Sequence, residues 1–298
     1  MLATLMGVGY EVEGMGSVEE ALQAYDLDWE VETRPSLFQK SDGTLTETGG
    51  FVVVRPDTET VLGRVGSNYT PLRNSTALQH VDRLIETGVA SLEGVFALKG
   101  GKKVGASLKV NEDMSVGGED PHSLYLTLLT SHDGSTCTST LLTPVRLWCT
   151  NQLALSFKEA KMAWGVRHIA SIEEDLKQVA SELEFITTYR ETFEEIGGRL
   201  MLKRMSETEV QMITEAAMSF VTNEHSKKAA VDGVMETYMT SPLIGDTYRG
   251  TGWGALNAVT EWIDHKRTYR GAEARYHYIT SGVGSRIRNN ALQALVAA

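Results

Sequence analysis

The sequence predicts an α+β protein, with an antiparallel β-rich N-terminal half with packed helices, followed by a mainly helical C-terminal half. Short apolar runs separated by glycine fill the chain to about residue 151, and helical spacing of apolar residues begins near residue 171. No connection between residues 92 and 148 is long enough for a crossover helix, so the strands there should pair antiparallel. The change of pattern predicts two domains, an α+β core over 1–168 and a helical region over 169–298.

Two helices are predicted among the strands of the N-terminal half. Ser17-x-x-Glu20 forms a capping box, in which each side chain can accept a hydrogen bond from the other residue's backbone, so a helix should start at Ser17. Asn74 is a favourable N-cap for the second helix, which Gly88 should end. The predicted strands cover residues 29–35, 51–54, 61–65, 92–98, 104–110, 123–130 and 139–148.

The helices of the C-terminal half are predicted from their caps and spacing. An apolar stretch over 151–163 comes first. Capping boxes at Ser171 and Ser206 should start two more helices, the first of which Gly197 and Gly198 should end. The last long helix is predicted over 255–266. The helix from Ser171 is strongly acidic with an apolar seam, which suits packing on its own domain or a contact between subunits of a homo-oligomer.

Composition limits the classes of protein to consider. The chain has 298 residues and a net charge of -11. It contains no apolar run of the roughly 20 residues that span a bilayer, and its start lacks the basic segment of a signal peptide, so no membrane contact or export is predicted. Cys137 and Cys149 are spaced for neither a metal-binding pair nor a disulfide framework. These features predict a cytoplasmic protein with free thiols and no bound cofactor.

The C-terminal segment departs from the acidity of the rest of the chain. Between residues 265 and 288 it carries six Lys or Arg residues and one acid, Glu273, with tyrosines among the cations. Cations interleaved with rings suit unpaired bases, so the segment predicts a single-stranded nucleic-acid partner. Alternatively, these side chains cover the core with their stems and rings. The predicted contact residues are Lys266, Arg267, Tyr269, Arg270, Arg275, Tyr276, Tyr278, Arg286 and Arg288.

A second group of polar residues lies where the predicted halves meet. Arg146, Asn151, Arg167 and His168 could line a cleft in which the two guanidinium groups grip a phosphate. The same residues could instead join the two halves, with Asn151 as a helix cap and Arg167 paired to an acid.

His132 and Asp133 are weak candidates for a metal site. An adjacent His-Asp pair binds metal in phosphohydrolases when a second histidine, such as His168, and another acid converge on it. The alternative is an ordinary turn, in which Asp133 accepts backbone N–H groups and Gly134 takes a positive φ. The turn is the preferred interpretation, so no metal ligand and no catalytic residue is predicted.

Several short motifs along most of the chain resemble a known family. They include Leu27-Asp28-Trp29, Val53-Val54-Arg55 with Asp57, Leu62-Gly63 with Tyr69 and Pro71-Leu72, Ser131-His-Asp-Gly-Ser135, Thr143-Pro-Val-Arg146 with Cys149 and Asn151, Arg167-His168, and Thr251 with Trp253, Asn257-Ala-Val-Thr-Glu261 and Asp264-His265. The chain is similar in these motifs to the phage/plasmid-like proteins of unknown function carried by bacteriophages and plasmids. The N-terminal Trp-His-Gly-Leu-Gly type segment of that family is replaced by residues 9–16, which lack the Trp and the His. The resemblance implies a mobile-element origin and a bacterial host cytoplasm.

The leading hypothesis is a phage-type protein that binds single-stranded nucleic acid as a homo-oligomer and assists recombination, repair or replication without being an enzyme. One alternative is a metal-dependent nuclease or phosphoesterase that uses His132 and Asp133. Another is an anti-defence protein that binds a host factor, with the acidic helix over 171–195 mimicking nucleic acid.

Overall fold

A computed structural model describes residues 9–146, 163–168 and 182–297 of the chain. It confirms the α+β class, with antiparallel strands in the N-terminal half and helices in the C-terminal half. The chain forms two compact units that are not continuous in sequence. The first unit comprises 1–111, 125–141 and 163–183, and the second comprises 112–124, 142–162 and 184–298. The predicted boundary at 168 stays a prediction, because residues 169–181 lie outside the described part.

The first unit is built around an antiparallel sheet whose strands follow the order β1-β5-β6-β8-β9-β10. Residues 125–131 and 138–141 are the parts of β8 and β9 that belong to this unit. Most residues of β6 and β8 are buried, so these two strands lie in the interior of the protein, whereas both residues of β1 are exposed. The strands are β1 (Tyr10–Glu11), β5 (Ala90–Leu98), β6 (Lys103–Val110), β8 (Asp120–Ser131), β9 (Thr138–Arg146) and β10 (Ala163–Val166).

A smaller three-stranded sheet completes the first unit together with short helices. Its order is β2-β3-β4, with β2 (Glu32–Gln39), β3 (Leu45–Arg55) and β4 (Thr60–Val65). Val53, Leu62 and Val65 form its buried apolar cluster. The helices are α1 (Val18–Ala24), α2 (Asn74–Leu78) and α3 (Asp82–Glu86).

The second unit is mainly helical. Its one further strand, β7 (Met114–Val116), pairs antiparallel with residues 120–122 at the start of β8. A hydrogen bond from Trp253 Nε1 to Asp120 Oδ2, at 2.8 Å, joins this short ribbon to the helices. The helices are α4 (Glu182–Leu202), α5 (Glu207–Ala217), α6 (Glu224–Thr240), α7 (Gly245–Tyr248), α8 (Gly252–Glu261), α9 (Ala272–Thr280) and α10 (Val283–Ala297).

Two of the predicted helix starts agree with the structure, and one predicted helix end does not. Ser17 and Ser206 are N-caps, as predicted, and Ser206 makes both hydrogen bonds of its capping box with Glu209. The prediction that Gly197 ends a helix is wrong, because α4 continues to Leu202. A Cβ at Gly197 would lie 2.6 Å from Val116 Cγ1, so this glycine allows close packing instead of breaking the helix.

Three other sequence predictions are corrected by the structure. Strand β2 does not end at Pro35 but runs to Gln39, because proline is tolerated on this edge strand. Asn74 is not a cap, since its side chain donates to the Leu27 carbonyl oxygen at 2.7 Å. The segment over 255–266 is not the last long helix, because α10 follows it. The predicted helix over 151–163 and the start at Ser171 fall largely outside the described residues.

Among the described residues, no helix is long and apolar enough to cross a membrane. Cys137 is a half-buried free thiol, and Cys149 lies outside the described part.

Candidate functional site

The His132-Asp133 pair forms the turn that the sequence favoured. Asp133 Oδ1 accepts a hydrogen bond from the Ser135 backbone N–H at 2.9 Å, and Gly134 has a φ of 69°. The fully buried His132 ring lies with Nε2 at 2.7 Å from Asn74 Oδ1. Desolvation by burial lowers the pKa of His132 to about 4, so the ring is neutral at physiological pH. The local geometry around Asp133 and Gly134 is therefore that of a turn.

His168 is also an interior residue of the first unit. Its Nε2 lies 3.2 Å from Thr130 Oγ1 and 3.0 Å from Thr138 Oγ1. The ring of Tyr69 stacks on the His168 ring with centroids 5.1 Å apart, while the Tyr69 hydroxyl donates to the Ser131 carbonyl oxygen. Burial lowers the pKa of His168. These contacts give His168 a packing role, and we call His132, His168 and their partners the histidine network.

The predicted cleft is only partly described. Arg167 is exposed, whereas the neighbouring His168 is buried, so these two side chains do not lie on one surface. Arg146 ends strand β9, but its side chain is not described, and Asn151 lies outside the described residues. The cleft therefore stays a prediction of the sequence. Within the described ranges, no three His, Cys, Asp or Glu side chains are arranged to hold a metal ion.

The basic C-terminal segment divides into interior and surface side chains. Arg288 is fully buried and pairs with Asp264, with Nη2 at 3.0 Å from Oδ1. Tyr276 is 4% exposed. In this conformation neither side chain can reach a ligand at the surface, although both were predicted contact residues. Their burial follows from the apolar positions of α9 and α10, which put Ile279, Ile287 and Leu292 on the core side.

A turn of π-helix shapes the surface part of the segment. Residues 262–266 form this turn, which Arg267 N closes by donating to the Trp262 carbonyl oxygen at 3.0 Å. In an α-helix the Arg267 N–H would donate to the Ile263 carbonyl oxygen, but here it donates to the residue before it. The carbonyl oxygens of Ile263 and Asp264 accept hydrogen bonds from side chains instead. The Tyr269 hydroxyl donates to the first of them. Arg275 Nη2 donates to the second at 2.9 Å, which leaves that side chain half-buried.

Two glycines provide the space for Tyr278. A Cβ at Gly284 would lie 2.5 Å from Tyr278 Cδ1 and Cε1, and a Cβ at Gly282 would lie 2.9 Å from Tyr278 Cα. The Gly282-Val283-Gly284 sequence therefore leaves room for the Tyr278 ring. Tyr278 in turn packs beside Tyr269, with ring centroids 5.4 Å apart.

Arg267 lies over these rings. Its guanidinium carbon is 4.5 Å from the Tyr278 centroid, 6.0 Å from that of Tyr269 and 5.7 Å from that of Trp262. Lys266, Arg267 and Arg270 are all exposed. We call these three cations, with Tyr269 and Tyr278, the Arg267 cluster. Trp262 itself is buried, with 8% of its surface exposed.

The Arg267 cluster carries a net positive charge. Asp264 is buried and faces Arg288, and Glu261 is 3% exposed and accepts a hydrogen bond from the Ser241 hydroxyl. Lys266 Nζ lies 3.8 Å from Glu261 Oε1, so part of its charge is offset. The exposed Arg286 is placed separately, with its guanidinium 3.8 Å from the Phe220 centroid. The local positive charge thus survives in a chain of net charge -11.

The acidic helix proposed as a nucleic-acid mimic is described only from residue 182. In that part, Glu194 accepts a hydrogen bond from the Ser115 backbone N–H at 2.8 Å. Arg190 pairs with Glu112 at 2.5 Å. These contacts favour packing of α4 within its own unit.

Comparison with known proteins identifies a family. The model of a family described as a domain of unknown function (DUF932) matches residues 61–281. Neither the curated proteins nor the solved structures include a significant match.

Proposed function

The chain belongs to the DUF932 family, a domain of unknown function, and we propose that this member binds single-stranded nucleic acid through the Arg267 cluster. The observation that supports the proposal is the exposure of Lys266, Arg267 and Arg270 beside fixed aromatic rings. Cations attract phosphates, and nearby planar groups suit bases that are not paired.

The charge distribution supports a local mode of binding. A net charge of -11 repels nucleic acid from most of the surface, so attraction has to come from a limited patch. Each phosphate neutralised by Lys or Arg releases condensed counterions, and this makes the affinity fall as salt rises. A patch of three cations gives weak binding on its own, so we propose that several subunits of a homo-oligomer act on one strand.

The experiment is a fluorescence anisotropy titration with a labelled single strand. The triple variant K266Q/R267Q/R270Q should bind at least roughly tenfold more weakly than the unmodified protein, because three phosphate contacts are lost. The control triple R199Q/K227Q/K228Q removes the same charge from helices α4 and α6 and should change the affinity far less. Equal losses in the two triples, or no binding by the unmodified protein, would refute the proposal.

The biological setting that we propose is recombination, repair or replication in a mobile element. Holding a single strand in such a process requires a binding surface and no catalytic group. Mass measurement with and without a short strand tests the oligomeric part of the proposal. A monomer whose mass rises by no more than one strand, with no larger assembly, would contradict it.

A further inference from the structure

We infer that the base-stacking surface of the Arg267 cluster is the guanidinium plane of Arg267, and that the tyrosine rings act as its support. The inference rests on the proposed function and deepens it, because it makes an unpaired base the recognised group. It differs from the sequence-based hypothesis, in which the tyrosines themselves stack on bases.

The first step is that the tyrosine rings are already engaged. Tyr276 is buried. Tyr269 is held by its hydrogen bond to the Ile263 carbonyl oxygen and by its contact with Tyr278. Tyr278 packs one ring edge against Gly284, and Arg267 lies over its ring. A base that approaches this site therefore meets Arg267 before it meets a ring.

The second step is that Arg267 is held in a useful orientation. A guanidinium that stacks on an aromatic ring is positioned by a cation–π contact, and its planar shape leaves the opposite face for another flat group. Arg267 is an exposed residue, and its guanidinium carbon lies 4.5 Å from the Tyr278 centroid. Proteins use arginine planes in this way to stack on splayed bases of single-stranded RNA. A Tyr278–Arg267–base stack follows from this geometry.

The third step is selectivity. In a duplex the faces of the bases are covered by their neighbours, whereas a single strand can turn a base outward. Arg270 is also exposed, but among the described residues no ring lies beneath its guanidinium. Arg270 can thus contribute charge, while Arg267 contributes charge and a stacking plane.

The test separates stacking from charge by using lysine variants and two strands. R267K and R270K both keep the positive charge, but only R267K removes a supported plane. The probes are a labelled thymidine strand of about 20 nucleotides and an abasic strand with the same phosphates. R267K should weaken binding to the thymidine strand roughly tenfold and leave binding to the abasic strand unchanged. R270K should leave both unchanged.

Y278L provides a second test of the same stack. Without the ring beneath it Arg267 loses its orientation, so Y278L should reproduce the loss of R267K on the thymidine strand alone, while Y278F should not. Thermal unfolding of each variant verifies that it is folded. If the unmodified protein binds both strands equally and R267K changes neither, the stacking inference is overturned and the proposed function stands. If the unmodified protein binds neither strand, both are overturned.

Discussion

The histidine network and the Arg267 cluster both contain side chains that the sequence made candidates for a functional site, yet one set is buried and the other is exposed. In the histidine network, His132 and His168 are buried and each ring has a hydroxyl or amide partner at 2.7 to 3.2 Å. In the Arg267 cluster, Arg267 is exposed and its guanidinium group lies over the Tyr278 ring. Residue types in a sequence therefore indicate a candidate site. The burial of those side chains and their hydrogen-bond partners determine whether a ligand can contact them.

The same contrast occurs within helix α10. Arg286 and Arg288 are two residues apart, which turns them to different sides of the helix. Arg286 is exposed over Phe220, and Arg288 is fully buried against Asp264. The basic C-terminal segment therefore contains a buried arginine that forms an ion pair and an exposed arginine. Substituting each of them should change the stability of the protein by different amounts.

The largest effect is expected from R288M. Removing Arg288 breaks its buried ion pair with Asp264, which should lower the free energy of unfolding by about 3–5 kcal/mol. The matched control R286M removes a surface cation–π contact and should cost about 1 kcal/mol or less. Urea unfolding measures both. The double variant D264N/R288M should recover part of the loss, and equal costs for R288M and R286M would contradict the assignment of Arg288 to the interior.

The next effect is a pH dependence from the histidine network. Because burial lowers the pKa of His132 from its ordinary 6.5 to about 4, the folded state binds fewer protons than the unfolded state between these values. The free energy of unfolding should therefore fall as the pH drops from 6.5 to 4, by roughly 3 kcal/mol for this residue. The lowered pKa of His168 acts in the same direction.

The variant H132Q isolates the contribution of His132. Its free energy of unfolding should vary less between pH 6.5 and 4 than that of the unmodified protein, whatever its stability at neutral pH. H225Q, which changes an exposed histidine on α6, should keep the full dependence. An unchanged pH dependence in H132Q would show that His132 is not the buried neutral ring described above.

A smaller effect is expected from G284A. The new methyl group would meet Tyr278, so the free energy of unfolding should fall by about 1–2 kcal/mol and single-strand binding should weaken with it. G198A is the control, because nothing lies within 4 Å of its Cβ position, and there alanine should stabilise helix α4 by about 0.5–1 kcal/mol. If G284A were as stable as the unmodified protein, Tyr278 would not be seated as described.

Much of the fold could be predicted from local signals. The caps at Ser17 and Ser206 and the antiparallel pairing of β5 and β6 were predicted, and the structure confirms them. Asp133 and Gly134 also adopt the geometry of a turn. The path of α4 through Gly197 could not be predicted in this way, because it depends on Val116, which is distant in sequence.

The sequence predicted which segment contains the candidate site, but it did not predict how the side chains of that segment are arranged. The excess of cations located the segment that contains Arg267. Spacing alone did not show that Arg288 pairs with Asp264 inside the unit or that Tyr278 supports Arg267, because each contact joins two elements that are separate in the sequence. The two glycines around Val283 were the available signal, since a tightly seated side chain often requires such small neighbours.

The most direct test of the Arg267 cluster is the salt dependence of single-strand binding. The logarithm of the affinity should fall linearly with the logarithm of the salt concentration. Each phosphate contact made by a cation contributes about 0.7 to the slope of that line. The variant K266Q/R267Q/R270Q loses three cations, so its slope should be smaller by roughly two. R199Q/K227Q/K228Q should leave the steepness unchanged. Identical lines for the two triple variants would contradict the account.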